Sequence, residues 1–509
     1  MRHRGLRSPV TAASLSLLFP GLGQYAAGAR RRGVLIATPA LVVLTALVGF
    51  GIGTVLGGGP EALVGLVLRP EVLVTVVGLD LLVLGYHAFS ILDAWLVARR
   101  AGNAAGHRTG RIAFVGLLAV LVLATLGYGT VAALGVETND TLTAVFQGDD
   151  PDTAQGDWEI PAASFGDDDG GAASPSAAPS APAAPSETPD ASGNIVAPVP
   201  SLIPTSSPAP TPAPVPDWAQ DGRLNILLVG SDAGTGRWLL RTDTMIVLSV
   251  DIASGQAALF GIPRNLINVP LAPEDADAFP GGRFPGLLNA LYVYAWGHPG
   301  QFPGGEARGF RAITGAIQQL VGVPLDGFVA VDLSGFAKLV NAVDGLWIRI
   351  PEPVYDDHYP KVDGSGYMTV SFDAGCQKLT GAQALAYARS RHQDSDYGRM
   401  GRQQLVLLSL RRELDPVALL ERAPQLLSIA KDDLWTTIKR KDLPSLVQLA
   451  ATVNAKQVTK VLFVPPDYPE FLSTSEIKQI RQTVRHVFDD GASGSGGGGG
   501  GSGLGKACP

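Results

Sequence analysis

Charged side chains lie beside the ends of apolar runs in four short stretches, where α/β proteins usually carry their functional residues. Asp232 follows one apolar run, and Arg264 ends another. Arg241 and Asp243 directly precede a third run. The fourth stretch is the densest, and its candidates are Arg389, Arg391, Arg399, Arg402 and Gln403. The planar fork of arginine matches phosphate oxygens, and several arginines together match a pyrophosphate, so the pattern indicates a phosphorylated substrate.

The spacing within the fourth stretch is the most informative on physical grounds. A helix that begins near Asp396 would place Arg399, Arg402 and Gln403 on one face of its first turns. Cations at this end oppose the helix dipole, and a bound anion relieves that conflict, because helix N-termini attract phosphate. The two arginines just before this helix are close enough along the chain to join the same site.

The carboxylates supply a second kind of chemistry. Asp232 and Asp243 carry hard oxygens, which Mg²⁺ takes together with substrate phosphates. Spacing alone also leaves ordinary roles open. Asp232 and Asp243 are typical of turns or caps, Arg264 of a solvent-facing strand end, and clustered arginines of surface ion pairs. His392 is expected to be structural, and this region has no P-loop, dinucleotide fingerprint, G-x-S-x-G elbow or zinc spacing.

The composition indicates a membrane protein. Of 509 residues, 46% are hydrophobic and 17% are charged, and the net charge is -7. A chain this apolar is expected to contain membrane segments, and the negative charge gives no case for a nucleic-acid partner. The two cysteines, Cys376 and Cys508, are too few for a disulfide scaffold. They leave open a disulfide, a free thiol or an intermolecular bond.

Apolar runs at 33–56, 72–98 and 112–136 are each long enough to span a bilayer, so residues 1–136 are predicted to be a membrane region. The shorter run Leu15–Ala27 is interrupted by proline and glycine, which favours a re-entrant or interfacial piece over a fourth span. Arginines flank this run on both sides, so both sides are expected to be cytoplasmic, and everything after Val136 to be outside. Asp80 and Asp93 are expected near span ends or in helix contacts.

The rest of the chain divides by composition. Residues 137–217 are acidic and then rich in Pro, Ala and Ser, which predicts a disordered, extended stalk that lifts a domain off the membrane. Residues 218–489 have a globular pattern, and 490–509 form a flexible tail rich in Gly and Ser. Predicted strands lie at Leu224–Gly230, Thr244–Val250, Ala257–Ile262, Gly327–Val331, Leu346–Ile350 and Lys460–Val464. Predicted helices lie at Ala307–Leu320, Ser334–Ala342, Thr380–Ala388, Gln403–Leu414, Leu443–Thr452 and Ser475–Val487. This alternation predicts an α/β sandwich with a central sheet.

The ordered segments NILLVGSD, RTDTMIVLSVD, IPRN and LTGAQALAYARSRHQDSDYGRMGRQQ resemble the LytR–CpsA–Psr family over about residues 222–488. The multi-span basic N-terminus and the stalk are typical of an actinobacterial member. The resemblance implies a three-layer α/β/α fold with a mixed sheet and an apolar lipid pocket. It also implies a phosphotransferase that moves a glycopolymer from a polyprenyl pyrophosphate to the muramic acid hydroxyl of peptidoglycan.

The resemblance also implies a role for each matched residue. Asp232 and Asp243 would hold Mg²⁺, with Mn²⁺ as the alternative. The expected pyrophosphate ligands are Arg264, Arg389, Arg391, Arg399 and Gln403, with Arg241 and Arg402 as weaker candidates for direct or supporting contacts. The catalytic set is expected to be Asp243, Arg264, Arg389 and Arg391, and Asp243 is also a candidate proton acceptor. Asn265 stands where the family commonly has an aspartate.

Two other functions use the same residues. A polyprenyl pyrophosphate hydrolase would have water as the acceptor, and a binding protein would hold polyprenyl phosphates without turnover. A transcriptional regulator is disfavoured, because the predicted domain lies outside the membrane and has no basic recognition helix. The expected partners are therefore the lipid-linked glycopolymer, peptidoglycan and the bilayer.

Overall fold

The computed structural model describes residues 8–101, 107–146, 217–231, 242–361, 366–391, 396–414, 421–453, 458–489 and 508. Five predictions lie outside the described residues: most of the stalk, most of the tail, and the positions of Asp232, Arg241 and His392.

The N-terminal part is a helical bundle. Its helices are α1 (Pro9–Leu18), α2 (Leu22–Ala26), α3 (Arg30–Val67), α4 (Pro70–Ala101) and α5 (His107–Val145). Three of them, α3, α4 and the Arg111–Val145 part of α5, are long and apolar enough to cross a membrane. They correspond to the three predicted spans, and they form a membrane anchor that precedes the folded domain.

The short apolar run forms α1 and α2, which turn at Gly21 with φ of 94°. The ten residues of α1 rise about 15 Å, roughly half of a bilayer core. Buried Asp93 joins this piece to the bundle, because its Oδ2 accepts from Gln24 Nε2 at 3.2 Å and from Arg32 Nε at 2.9 Å. Asp93 therefore lies in a helix contact, as expected.

The described residues of the folded domain contain twelve strands. They are β1 (Arg223–Ser231), β2 (Thr242–Asp251), β3 (Ala257–Gly261), β4 (Val269–Pro270), β5 (Arg283–Phe284), β6 (Gly327–Val331), β7 (Leu346–Ile350), β8 (Val354–Pro360), β9 (Tyr367–Phe372), β10 (Gly375–Leu379), β11 (Leu434–Thr436) and β12 (Val458–Leu462). The helices are α6 (Leu291–Gly297), α7 (Arg308–Val321), α8 (Leu333–Ala342), α9 (Gly381–Arg389), α10 (Asp396–Glu413), α11 (Ala423–Asp433), α12 (Leu443–Thr452) and α13 (Thr474–Arg485).

Six strands form the central sheet in the order β11-β6-β1-β2-β3-β12. The pairs β1·β2 and β2·β3 are antiparallel, whereas β1·β6 and β3·β12 are parallel, so the sheet is mixed. Alternate side chains point to opposite faces. Leu227 and Val229 pack with α7 and α13 in the main core, whereas Leu228 and Ile246 face a cavity beneath α8, α10 and α11. The predicted three-layer α/β/α fold is confirmed.

One predicted strand lies elsewhere. Leu346–Ile350 forms β7, which pairs with β10 in a two-stranded sheet instead of joining the central one. Only alternate residues of β7 are buried, and they belong to a second core shared with α9 and α10. Beside it, Cys376 is disulfide-bonded to Cys508, which answers the question that the sequence left open.

The domain packs directly against the membrane helices. Helix α5 continues past the predicted span to Val145, and Leu142 near its end is 1% exposed. Arg440 donates to the side-chain and main-chain oxygens of Asn139 at 3.0 and 3.2 Å, and to Thr143 Oγ1 at 2.5 Å. Residues 137–146 are therefore a docked helix end and not the start of a stalk, because their apolar positions bury against the domain.

The stability of the domain should depend on Asp326 at the start of β6. Burial raises the pKa of this carboxyl to about 7, although its Oδ2 accepts from Asn225 N–H at 2.7 Å. The folded state thus binds a proton that the unfolded chain releases near pH 4. We expect the Tm of wild type to fall as the pH rises from 4 through 7, and the Tm of Asp326→Asn to be flatter over that window. Parallel Tm profiles of the two proteins would contradict this.

Candidate functional site

A cavity of about 860 Å³ lies between the sheet and the layer of α8, α10 and α11. Its deep walls are apolar and come from Leu228, Ile246, Val329, Val331, Phe336, Leu339, Val406, Leu407, Leu410, Leu414, Leu426, Ile429 and Ala430. Its mouth is polar and comes from Asp243, Asp356, His358, Tyr359, Arg389, Arg391, Asp396, Arg399 and Gln403. The expected apolar pocket is present, and it opens at the predicted arginine cluster.

Two helix ends bring the arginines to this mouth. A capping box of Thr380 and Gln383 starts α9, which ends at Arg389. Helix α10 then begins at Asp396, so the first turn predicted from spacing is observed. The first residue of this helix, Asp396, itself supplies a negative charge at the helix start. Arg399 Nη2 donates a hydrogen bond to Asp396 Oδ2 at 3.1 Å. Arg391 Nη1 approaches the other carboxylate oxygen at 3.4 Å.

Arg264 joins the two carboxylates of the mouth. Its Nη1 lies 2.7 Å from Asp243 Oδ1, and its Nε lies 2.7 Å from Asp396 Oδ2. Asn289 donates a further hydrogen bond to Asp243 Oδ1 at 3.3 Å. The Arg264 guanidinium does not line the cavity, so it holds Asp243 and Asp396 from behind. The direct phosphate contact expected for Arg264 stays a prediction.

Electrostatics keep both carboxylates ionised. Burial alone would raise the pKa of Asp243, but the hydrogen bond from Arg264 and the charges of Arg264 and Arg399 lower it below its usual value. The pKa of Asp396 is lowered in the same way, against its own burial. Burial also lowers the pKa of Arg399 to about 10, which still leaves it charged at neutral pH. A carboxylate of low pKa suits the binding of a cation better than the acceptance of a proton.

Arg389 differs from its neighbours because, within the described part of the chain, it forms no ion pair with a carboxylate. Its Nη1 donates to Tyr359 Oη at 3.3 Å, and its guanidinium lies 5.6 Å from the centre of that ring. Gln403 lines the cavity one turn beyond Arg399, on the face predicted from the sequence. Arg389 and Gln403 can therefore donate to an anionic ligand in the mouth.

Arg402 lies beside the face of α10 that carries Arg399 and Gln403, and it does not line the cavity. It is buried, and its Nε donates to the carbonyl oxygen of Tyr387 at 2.9 Å. Its Nη2 donates to the carbonyl oxygen of Ser390. Buried Asp356 holds the same turn from the other side, since its Oδ2 accepts from Ser390 Oγ and from the N–H of Arg391, both at 3.0 Å. Arg402 thus positions this turn, which fits the supporting role that was one of its two expected roles, and a direct phosphate contact stays a prediction.

Replacing Arg402 with leucine should lower the free energy of unfolding by about 2 kcal/mol, because two buried carbonyl oxygens lose their donors. Arg412→Leu, on the last turn of the same helix, is the matched control and should have a much smaller effect. Denaturant unfolding of the full chain in detergent measures both. Equal losses in the two variants would contradict a specific role for Arg402.

Three buried polar atoms of this region have no hydrogen-bond partner in the described structure. They are Ser231 Oγ at the end of β1, Thr242 Oγ1 opposite it in β2, and Arg399 Nε. Ser231 lines the cavity and directly precedes Asp232, which lies outside the described residues. Buried polar groups are normally paired, and the unpaired atoms of Ser231 and Arg399 belong to residues that line the cavity, whereas Thr242 does not line it.

Sequence reasoning missed some residues of the mouth. Asp396 was noted only as a helix start, although it is bound by three arginines, and Asp356 and Tyr359 were not singled out. A possible signal for Asp396 was an acid three residues before Arg399, the spacing of an ion pair on one helix. Asp356 and Tyr359 lie in β8, far along the chain from their partners, and no local pattern marks them.

Comparisons with known proteins show which family the chain resembles. The sequence profile of the LytR_cpsA_psr family matches residues 203–473. The chain is 24% identical over 276 residues to the polyisoprenyl-teichoic acid–peptidoglycan teichoic acid transferase TagV of Bacillus subtilis, covering 52% of this chain and 64% of that protein. It is 25% identical over 230 residues to biofilm regulatory protein A of Streptococcus mutans, covering 43% of this chain and 51% of that protein.

The chain thus spans between half and two thirds of the length of these relatives. Among solved structures, B. subtilis TagV has a TM-score of 0.39 at 22% identity, covering 53% of this chain and 98% of that one. TagT bound to LIIa-WTA has a TM-score of 0.36 at 18% identity, covering 52% of this chain and 91% of that one. The family profile covers more than half of the 509 residues, so the chain belongs to the LytR_cpsA_psr family.

Proposed function

We propose that this protein transfers a phosphorylated glycopolymer from a polyprenyl pyrophosphate to the muramic acid hydroxyl of peptidoglycan. The observation that carries the proposal is that one cavity joins apolar walls to a mouth of arginines and carboxylates. An apolar chain with an anionic end is the ligand whose two parts match these two regions. The names of the relatives as peptidoglycan teichoic acid transferases support the same reaction.

The membrane arrangement belongs to the proposal. The anchor would be multi-pass, with α3, α4 and α5 crossing the bilayer and the domain on the extracytoplasmic side, where peptidoglycan lies. The donor is then a lipid of the membrane against which the domain packs. A lipid-linked donor explains why the domain is docked on α5 and is not held at a distance from the bilayer.

Asp243 is the described residue best placed to hold Mg²⁺ or Mn²⁺. Its described hydrogen bonds all reach Oδ1, which leaves Oδ2 available. One carboxylate together with phosphate oxygens is a donor set that Mg²⁺ accepts, and Asp232 and the unpaired Ser231 Oγ would lie beside it. When bound, the ion would neutralise charge on the pyrophosphate and polarise its phosphorus.

The side chains of the mouth supply the rest of the chemistry by position and charge. Arg389, Arg391 and Gln403 donate to the pyrophosphate oxygens and stabilise the negative charge that grows on the leaving phosphate. The acceptor hydroxyl oxygen bonds to the sugar-side phosphorus as the bond to polyprenyl phosphate breaks. The hydroxyl proton is released to solvent, and polyprenyl phosphate leaves with its chain still in the cavity.

The test uses the full chain in lipid nanodiscs. The protein is incubated with a polyprenyl pyrophosphate-linked saccharide, Mg²⁺ and peptidoglycan oligomers, and the products are analysed by mass spectrometry. Sugar phosphate joined to muramic acid is the expected product. Pyrophosphate cleavage without a joined product would indicate a hydrolase, and tight binding without cleavage would indicate a lipid-binding protein.

A further inference from the structure

A second cleft, of about 730 Å³, lies between α4, α5 and α11, on the membrane side of the domain. We call it the α4/α5 cleft. Its lining is mostly apolar and comes from Val77, Leu81, Ala132, Ala133, Val136, Glu137, Asp140, Thr141, Ala144 and Lys431. The membrane helices therefore form one wall of this cleft, and the catalytic domain contributes to the other.

The cleft lies at the level of the bilayer surface. The apolar part of α5 from Arg111 to Val145 has 35 residues, which rise about 52 Å, whereas a bilayer core is about 30 Å thick. Counted from Arg111, the core ends about 20 residues along, near Ala132. The wall of the cleft from Ala132 to Ala144 thus begins at the edge of the hydrocarbon and continues beyond it.

Helix α11 separates this cleft from the catalytic cavity. Leu426, Ile429 and Ala430 of α11 line the cavity, and the next residue, Lys431, lines the cleft. A helix with its side chains is about 10 Å across, so the two spaces are one helix width apart.

Polar contacts hold α11 mainly at its ends. Asp433 accepts from Lys338 Nζ at 2.8 and 2.9 Å, and Arg422 donates to the carbonyl oxygen of Ala342 at 3.0 Å. Between these ends, the cavity-lining side chains Leu426 and Ile429 are only half-buried. The middle of α11 therefore closes the cavity with side chains that are only half-buried, and sparsely buried segments are the ones that open most readily.

We propose that the α4/α5 cleft is the entry path by which the polyprenyl chain of the lipid donor passes from the bilayer, beside α11, into the cavity. This inference rests on the proposed function and adds the route that the donor takes. The apolar lining suits an isoprenoid chain, whereas the two acids Glu137 and Asp140 outnumber the one cation Lys431 and disfavour a phosphate. The cleft thus takes the chain of the donor and leaves its headgroup to the arginines of the mouth.

The test compares two donors on the full chain in nanodiscs: a long-chain polyprenyl pyrophosphate-linked saccharide and its farnesyl analogue. Ala132→Trp fills the cleft and should lower turnover of the long-chain donor about tenfold. The short farnesyl donor reaches the mouth from solution, so its turnover should stay at the wild-type level. Leu134→Trp is the matched control, because Leu134 is 52% exposed, is not part of the cleft and lies about 200° around α5.

An equal effect of Ala132→Trp on both donors, or an equal effect of the control, would overturn the entry path. Loss of farnesyl turnover in the wild type as well would count against the proposed function instead. Photo-crosslinking tests the entry path separately from the proposed function. It uses polyprenyl phosphate with a diazirine at the far end of its chain. Labels on the cleft residues of α5 are expected, and labels confined to the cavity or to exposed faces of the bundle would overturn the entry path.

Discussion

Arg389→Ala should lower turnover by about 100-fold to 1000-fold and leave the Tm close to that of wild type. Arg389 points into the mouth and contacts Tyr359 through one hydrogen bond and the face of the ring. Arg389 forms no ion pair with a carboxylate in the described structure. Its charge can therefore act on the substrate, and its replacement leaves no described buried carboxylate without a cation. The turnover number and the Tm are measured on the full chain in nanodiscs.

Two controls locate the effect. Arg389→Lys keeps the charge but loses the planar fork, so its turnover should lie between that of the alanine variant and wild type. Arg412→Ala removes a cation from the end of α10, outside the cavity, and should leave turnover unchanged. Full activity of Arg389→Ala would show that the anionic part of the donor does not lie against this residue.

Leu426→Trp should weaken the binding of a long polyprenyl phosphate by about 100-fold, since each methylene excluded from an apolar site costs about 0.8 kcal/mol. Leu426 lines the catalytic cavity from α11, and a larger ring there occupies the space of several methylenes. The binding of inorganic pyrophosphate, which needs only the mouth, should be unchanged. Titration of both ligands against the same preparation gives the two dissociation constants.

The adjacent residue provides the matched control. Leu427 is half-buried on the same helix and does not line the cavity, so Leu427→Trp should bind the lipid as wild type does. Equal binding by the two variants would mean that the cavity does not hold the lipid chain. Loss of pyrophosphate binding in Leu426→Trp alone would mean that the mouth, and not the chain site, was disturbed.

Much of the domain could be predicted from local pattern. The apolar run at 224–230 becomes β1, and the helical periodicity near Ala307 becomes α7, because both patterns depend on neighbours in the chain. The partner of a strand is a tertiary property, so the placement of Leu346–Ile350 outside the central sheet could not be predicted. The packing of α5 against the domain could not be predicted for the same reason, since the contacting residues Asn139 and Arg440 are 301 residues apart.

In the candidate site too, local arrangement could be predicted from the sequence, whereas contacts between distant residues could not. The spacing correctly predicted that Arg399 and Gln403 lie together, because residues four apart share a helix face whatever the rest of the fold does. It could not show which way a guanidinium points. Arg264 turns to two carboxylates and Arg402 to two main-chain oxygens, and in each case the partners come from distant parts of the chain. The cavity itself is lined, among the described residues, by four helices, the central sheet and β8, which only the fold assembles.

Turnover in water enriched in oxygen-18 is the most direct test of the central claim, that this site passes a phosphoryl group to a carbohydrate hydroxyl. The full chain in nanodiscs is given the polyprenyl pyrophosphate-linked saccharide, Mg²⁺ and peptidoglycan oligomers, and both phosphate-containing products are weighed by mass spectrometry. The account predicts a sugar phosphate joined to muramic acid and a polyprenyl phosphate, both free of the heavy isotope. Oxygen-18 in either phosphate, with no joined product, would show that water is the acceptor and would contradict it.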